Sequence, residues 1–237
     1  MKLKLISRAM ALAIILSLVV LSPPLVPTAS ATTITSLSIY SGPAGTTVTL
    51  TGTIDTLGGA YQILWDTTLL RVGAAPSGST AVADTFAVPV TTGGVHTVKL
   101  TDTSTATSAT IFFTVTPQIS LSPTSGKVAS TVNVSGTGFA ASETGISVTY
   151  DGTAVKSSIT AYANGSWNTS FAAPARVKGN HSVDAYGSST SAVSVPNVLF
   201  TITPRIATTP TSGSVGDTVS VSGTGFTGSE TGIRVTY

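Results

Sequence analysis

A stretch of nine residues recurs almost letter for letter 87 positions on. Thr131 to Phe139 reads TVNVSGTGF and Thr218 to Phe226 reads TVSVSGTGF, with Asn133 replaced by Ser220. The match extends both ways at the same period: Thr116-Pro117-Gln118-Ile119 returns as Thr203-Pro204-Arg205-Ile206, and Ser142 to Ile146 returns as Ser229 to Ile233. A more diverged copy precedes these two. Its Thr47 to Gly52 matches the same strand at an offset of 84, while Trp65-Asp66 falls on Tyr150-Asp151, Phe86 on Phe171 and His96 on His181 at an offset of 85. Self-similarity at a fixed period marks an array of like modules. A unit of about 85 residues is long enough to enclose its own core, so the modules are beads rather than coils of a solenoid. The chain therefore parses into a leader (1–31), a diverged first unit (32–116), a second unit (117–203) and an incomplete third (204–237) that aligns with the first three strands of the second.

Inside a unit the period is two. Val132 and Val134 alternate with Thr131, Asn133 and Ser135; Ile146, Val148 and Tyr150 alternate with Ser147 and Thr149. Trp167, Thr169 and Phe171 share one face, as do His181, Val183 and Ala185. Such alternation is the mark of half-buried antiparallel strands. Asp151-Gly152 and Asn164-Gly165 between the strands are tight-turn signals, because these residues tolerate positive φ. Six or seven short strands per unit, with no helical period after residue 31, predict an all-β fold of tandem β-sandwiches. The composition agrees: 43 Thr and 32 Ser among 237 residues favour strands and turns, and only 8% of residues are charged. With no cysteine, disulfide scaffolds, thiolate metal sites and cysteine nucleophiles are excluded.

The first 31 residues have the pattern of a secretory signal. Lys2, Lys4 and Arg8 precede an apolar run from Ala9 to Leu21, and Ala29-Ser30-Ala31 is a small-residue cleavage site. The run is too short to cross a bilayer comfortably, so membrane contact is expected only through this segment if it stays uncut. The formal net charge of +2 belongs mostly to the leader: 8 basic residues face 9 acidic ones in the remainder, a net of −1. With no basic stripe left, electrostatic nucleic-acid binding has no driving force.

Pro123 to Gly126, Thr131 to Phe139 and Val148 to Gly152 resemble the opening strands of IPT/TIG-type immunoglobulin-like domains. Asn164 to Phe171, Pro174 and Gly179 to Val183 are similar to the second half of immunoglobulin-like repeats of prokaryotic surface proteins. The resemblance implies tandem immunoglobulin-like β-sandwiches on a secreted or cell-surface chain. It implies little about function, because such modules host many roles. The first unit departs from the pattern, with Gly52-Thr53-Ile54 in place of Gly-Thr-Gly-Phe, so its loop there is expected to be built differently.

His96 and His181 are the only histidines. They hold the same place in successive units, so they are expected to lie a domain apart and not to share a metal or a reaction. Each stands in a Gly-x-His-x-Val run, where immunoglobulin domains carry a corner tyrosine whose ring bonds backbone across the turn; a structural corner role is expected. Asp66 and Asp151, each following an aromatic residue at a strand end, read as turn formers. Trp65, in the alternating set Tyr61, Ile63, Trp65, reads as core. Trp167 reads as core or as an exposed aromatic that contacts a glycan or protein. Asn133, Asn164, Asn168 and Asn180 each open an Asn-x-Ser/Thr sequon and are candidate glycosylation sites. The nine acids are scattered, with no two close enough in sequence to suggest a calcium cage, and no catalytic motif is present. No cofactor is expected. The resulting expectation is a non-enzymatic secreted or cell-surface protein, a stalk, envelope component or adhesive spacer. Its partners would be extracellular proteins, glycans or further repeats of the same chain. The alternatives are the accessory region of a larger secreted enzyme and a carbohydrate-binding module.

Overall fold

The computed structural model describes residues 31–236. The basic and apolar parts of the expected leader, and Ala29 of the cleavage site, lie outside them. Ala31 is exposed at the start of the described chain, and the next residue is already anchored: Thr32 is buried and its hydroxyl lies 2.8 Å from that of Thr107.

Eight strands build the first sandwich: β1 (Thr33–Leu37), β2 (Ser41–Gly42), β3 (Thr47–Thr53), β4 (Ala60–Trp65), β5 (Thr68–Ala74), β6 (Ala81–Ala87), β7 (Gly94–Asp102) and β8 (Ser108–Val115). They form a three-stranded sheet ordered β1-β3-β6 and a five-stranded sheet ordered β2-β8-β7-β4-β5. The second sandwich repeats this plan with β9 (Gln118–Ser122), β10 (Ser125–Gly126), β11 (Thr131–Thr137), β12 (Ile146–Tyr150), β13 (Thr153–Ile159), β14 (Trp167–Ala172), β15 (Gly179–Tyr186) and β16 (Val198–Ile202), in sheets β14-β11-β9 and β10-β16-β15-β12-β13. Nearly all pairings are antiparallel. The exceptions recur: β2 pairs parallel with β8, and β10 parallel with β16. These are immunoglobulin-like β-sandwiches, two sheets closed face to face over the alternating apolar residues of both.

Each sandwich encloses its own core. In the first, Val48, Leu50, Ile63, Val98, Leu100 and Phe113 are fully buried; in the second, Val132, Val134, Ile146, Val148, Tyr150 and Phe200 are. The chain reverses at Asp151-Gly152 with φ of 49° and 76°, the paired positive values that a tight primed hairpin turn requires.

After Ile202 the pattern changes. Among the described residues that follow, β17 (Arg205–Thr209) and β18 (Ser220–Thr224) are the only strands, paired antiparallel in the register of β9 with β11. Ile206, Val219 and Val221, which match the buried Ile119, Val132 and Val134, are exposed. The third strand expected at the end of the chain does not form: residues 231–236 have no strand structure. In the second sandwich the corresponding strand, β12, is held between β13 and β15, and the described residues of the third copy supply neither neighbour.

Candidate functional site

The two histidines sit in matching constellations. β4 ends at Trp65 and β12 at Tyr150, and the next residue, Asp66 or Asp151, turns the chain with φ of 52° or 49°. That turn aims each carboxylate at the neighbouring strand. Asp66 Oδ2 lies 2.8 Å from His96 Nδ1, and its Oδ1 accepts the Thr97 backbone N–H at 2.9 Å. Asp151 Oδ2 lies 2.8 Å from His181 Nδ1, and its Oδ1 accepts the Ser182 N–H at 3.1 Å. The other ring nitrogen reaches the loop four residues upstream: His96 Nε2 is 3.0 Å from the Thr92 carbonyl and His181 Nε2 is 2.9 Å from that of Val177. Both oxygens facing each ring are acceptors, so a ring protonated on both nitrogens donates to both at once. Each imidazole stacks on the preceding aromatic, Trp65 or Tyr150, at 5.2 Å between centroids.

The environment sets the carboxylates apart from ordinary ones. Burial raises the pKa of Asp66, but hydrogen bonds from Thr97 and His96 outweigh it and hold the group below the usual range. For Asp151, burial again acts upward, and His181, Ser182 and the nearby Arg176 together pull it down; the Arg176 Nε lies 3.5 Å from Oδ2.

Each corner sits under a joint between units. The Thr92 carbonyl held by His96 precedes Gly93, whose N–H donates to the Phe139 carbonyl of the second unit at 3.1 Å. Gln118 Nε2 reaches back to the Ala44 carbonyl at 3.2 Å. Gly138, at φ of 74°, packs so closely on Thr116 and Pro117 that an added Cβ would stand 2.7 Å from the Thr116 carbonyl oxygen. The match at the next joint is Gly225, at φ of 71°, where a Cβ would stand 2.9 Å from an Ile202 methyl carbon and 3.0 Å from the Thr203 oxygen. Val177, held by His181, lines the open cleft of about 450 Å³ there with Arg176, Thr224 and Phe226.

Trp167 is not a contact aromatic. It is 2% exposed, lies over Gly136 and meets Phe139 edge-on at 5.3 Å between centroids. Its strand turns it inward because β14 pairs Trp167 with Gly136 of β11, and the absent side chain makes the room that the indole fills. Trp65 is likewise inside, at 3% exposure. Asn133 and Asn168 are exposed on neighbouring strands, Asn164 is exposed in its turn, where its Oδ1 accepts from Ser166, and Asn180 is exposed with its Oδ1 accepting from the Thr201 hydroxyl at 2.7 Å.

Two buried acids escaped sequence reasoning. Asp102 is fully buried and accepts the backbone N–H groups of Thr56 and Ser104, each at 2.8 Å. Glu143, 4% exposed, accepts from the N–H groups of Ser189 (2.7 Å), Thr190 (2.6 Å) and Ala140 (2.9 Å) and from the Thr190 hydroxyl (2.7 Å). In both, burial acts upward but the donated hydrogen bonds prevail and lower the pKa. The signal available was positional: Asp102 ends an alternating strand on its apolar face. Among the described residues no cluster of three potential metal ligands occurs.

No family model matches the chain, and no curated protein does. Among solved structures it is similar to the central fibronectin-III array of RIM-binding protein (13% identity, covering 77% of this chain and 68% of that one, TM-score 0.26). It is also similar to the fibronectin(III)-like modules of CbhA from Clostridium thermocellum (15% identity, 72% and 93% covered, TM-score 0.25). A third is SGBP-B from a complex xyloglucan utilization locus in Bacteroides uniformis (17% identity, 73% and 49% covered, TM-score 0.27), of which the chain spans about half the length.

Proposed function

We propose that the chain is a non-enzymatic, secreted or cell-surface structural protein, an array of IPT/TIG-type immunoglobulin-like modules that works as a stalk, envelope component or spacer. The observation that carries this reading is the joint. The last strand of one sandwich, β8, ends at Val115 and the first strand of the next, β9, begins at Gln118, leaving Thr116 and Pro117 between them. Pro fixes φ and withholds a donor at that point, and the Gly93–Phe139 and Gln118–Ala44 hydrogen bonds brace it on both sides. Low charge and a Ser/Thr-rich surface suit a module that does not steer partners by field. With Trp167 inside the core, a carbohydrate-binding role loses the aromatic that supported it.

The test is a distance distribution between spin labels placed one in each sandwich, together with fractionation of the producing cells. A stiff spacer gives one narrow distance and protein outside the membrane barrier. A broad distribution, or retention of the whole chain in the cytoplasm, overturns the reading.

A further inference from the structure

The five-stranded sheet of each sandwich turns its second face to solvent, and the two outer faces differ in kind. In the first unit Lys99 stands opposite Leu64, Leu64 opposite Leu69, and Thr97 opposite Phe112. Phe112 is 65% exposed, Val72 63% and Leu69 50%. Leu69 and Val72 stand on β5 at one side of this face and Phe112 on β8 at the other, so apolar side chains bracket the strands between them. Lys99 is the charge at its centre. In the second unit the position 85 residues on holds Asp184, opposite Thr149 and flanked by Leu199 and Tyr186. Leu199 is 52% exposed and Tyr186 40%.

Neither Lys99 nor Asp184 has an ion-pair partner among the described residues. Burial raises the pKa of Asp184, offset only by the Ala185 N–H. Charge decides which faces can meet. Like on like sets Lys99 against Lys99, or Asp184 against Asp184, and like charges across an interface are strongly disfavoured. Unlike faces bring apolar surface together and join the two opposite charges.

We infer that the outer face of the first unit, centred on Lys99, docks on the outer face of the second unit, centred on Asp184, in a second copy of this chain. The inference does not rest on the secreted role proposed above. Four strands spaced ~4.8 Å apart offer roughly 300–400 Å² per face, about half of the ~800 Å² per partner of a standard stable interface. One docked pair of faces is therefore a weak contact that gains from repetition. Because the two faces are unlike, the contact is heterologous and adds copies side by side without having to close.

Sedimentation equilibrium of the full chain, at concentrations up to about 1 mM in ~0.1 M salt, tests this. K99D and D184K should each weaken self-association at least ~10-fold. An equimolar mixture of the two should recover it, and so should the double variant K99D/D184K, because each restores one Asp facing one Lys. F112T should weaken association at every salt concentration. Unchanged thermal melts establish that the variants fold; if a reversal melts early, K99Q and D184N should each give a smaller loss. Association indifferent to both reversals, a mixture that fails to recover, or a wild-type chain that stays monomeric throughout overturns the inference.

Discussion

Asp102 and Glu143 close the same corner of their sandwiches from opposite sides. Asp102 stands at the end of β7 and reaches the loop after β3. Glu143 stands in the loop after β11 and reaches the one after β15. The positions are complementary at the 85-residue offset: Gly187 stands where Asp102 would be, Gly58 where Glu143 would be, and a Cβ on Gly187 would collide with the Glu143 carboxylate. Each unit thus carries one buried acid and one glycine there. Removing the acid should leave backbone donors buried without partners. Glu143→Ala should cost about 2–4 kcal/mol in urea unfolding; a variant as stable as the parent would show that water replaces the carboxylate at no cost.

These carboxylates also set the acid limit. Asp66, Asp102, Glu143 and Asp151 all have pKa values below their ordinary ones in the folded chain. As pH falls, the unfolded chain takes up protons on them first. The stability they contribute is complete above the ordinary carboxylate range, ~4, and is lost as pH drops through the folded values. The urea midpoint should be flat in this respect from pH 7 to about 5 and decline below ~4. In Glu143→Gln that decline should be shallower, and an unchanged slope would remove Glu143 from the account.

His181 ties Asp151 to the Val177 loop across 30 residues of sequence. His181→Ala should cost on the order of 1–3 kcal/mol of stability through lost hydrogen bonds and lost stacking on Tyr150, and His96→Ala a similar amount. Differential scanning calorimetry of the full chain reads both. A substitution that leaves the transition unmoved contradicts the structural role.

How much of this was legible beforehand differs by residue. The inward faces of Val132/Val134 and Ile146/Val148/Tyr150 follow from period-two alternation, since a strand has only two sides. The pairing of His181 with Asp151 does not: it depends on β12 lying beside β15, which local pattern leaves open. Trp167 stayed undecided because its inward turn needs Gly136 opposite, a fact of register rather than of sequence neighbourhood. Glu143 lies among Ser, Thr and Gly residues that look like any exposed loop, and its burial comes from a second loop 46 residues away.

The Tyr150 hydroxyl is buried without a hydrogen-bond partner among the described residues, and burial raises its pKa to about 12. A phenylalanine keeps the ring stacked on His181 and removes the unsatisfied group. Tyr150→Phe should be neutral or stabilising by up to ~1 kcal/mol. A clear loss of stability would mean that the hydroxyl has an ordered water as its partner.

The joint has its own vulnerable residue. Gly138 holds a left-handed φ and leaves no room for a side chain beside Thr116. Gly138→Val should loosen the joint and leave both cores intact, seen as a broadened distance distribution between labelled sandwiches with little change in far-ultraviolet dichroism. A distribution as narrow as the parent's would place the bracing elsewhere.

The parallel pairing of β10 with β16 bears on how a unit would respond to tension along the chain. The second unit begins at β9 and β10 and ends at β16, and Ser125 and Gly126 lie directly beside Thr201 and Ile202. Tension applied at the two ends of that unit pulls these neighbouring strands lengthwise past each other, so their hydrogen bonds resist together instead of opening in sequence like a zip. The first unit has the same arrangement in β2 and β8, at Ser41–Gly42 and Thr114–Val115. Each bead therefore has a shear-resistant pair close to the points where force would enter and leave it, while β1 and β9, which precede β2 and β10 and carry the buried Leu37, Ile119 and Leu121, meet a pull from the amino-terminal side first.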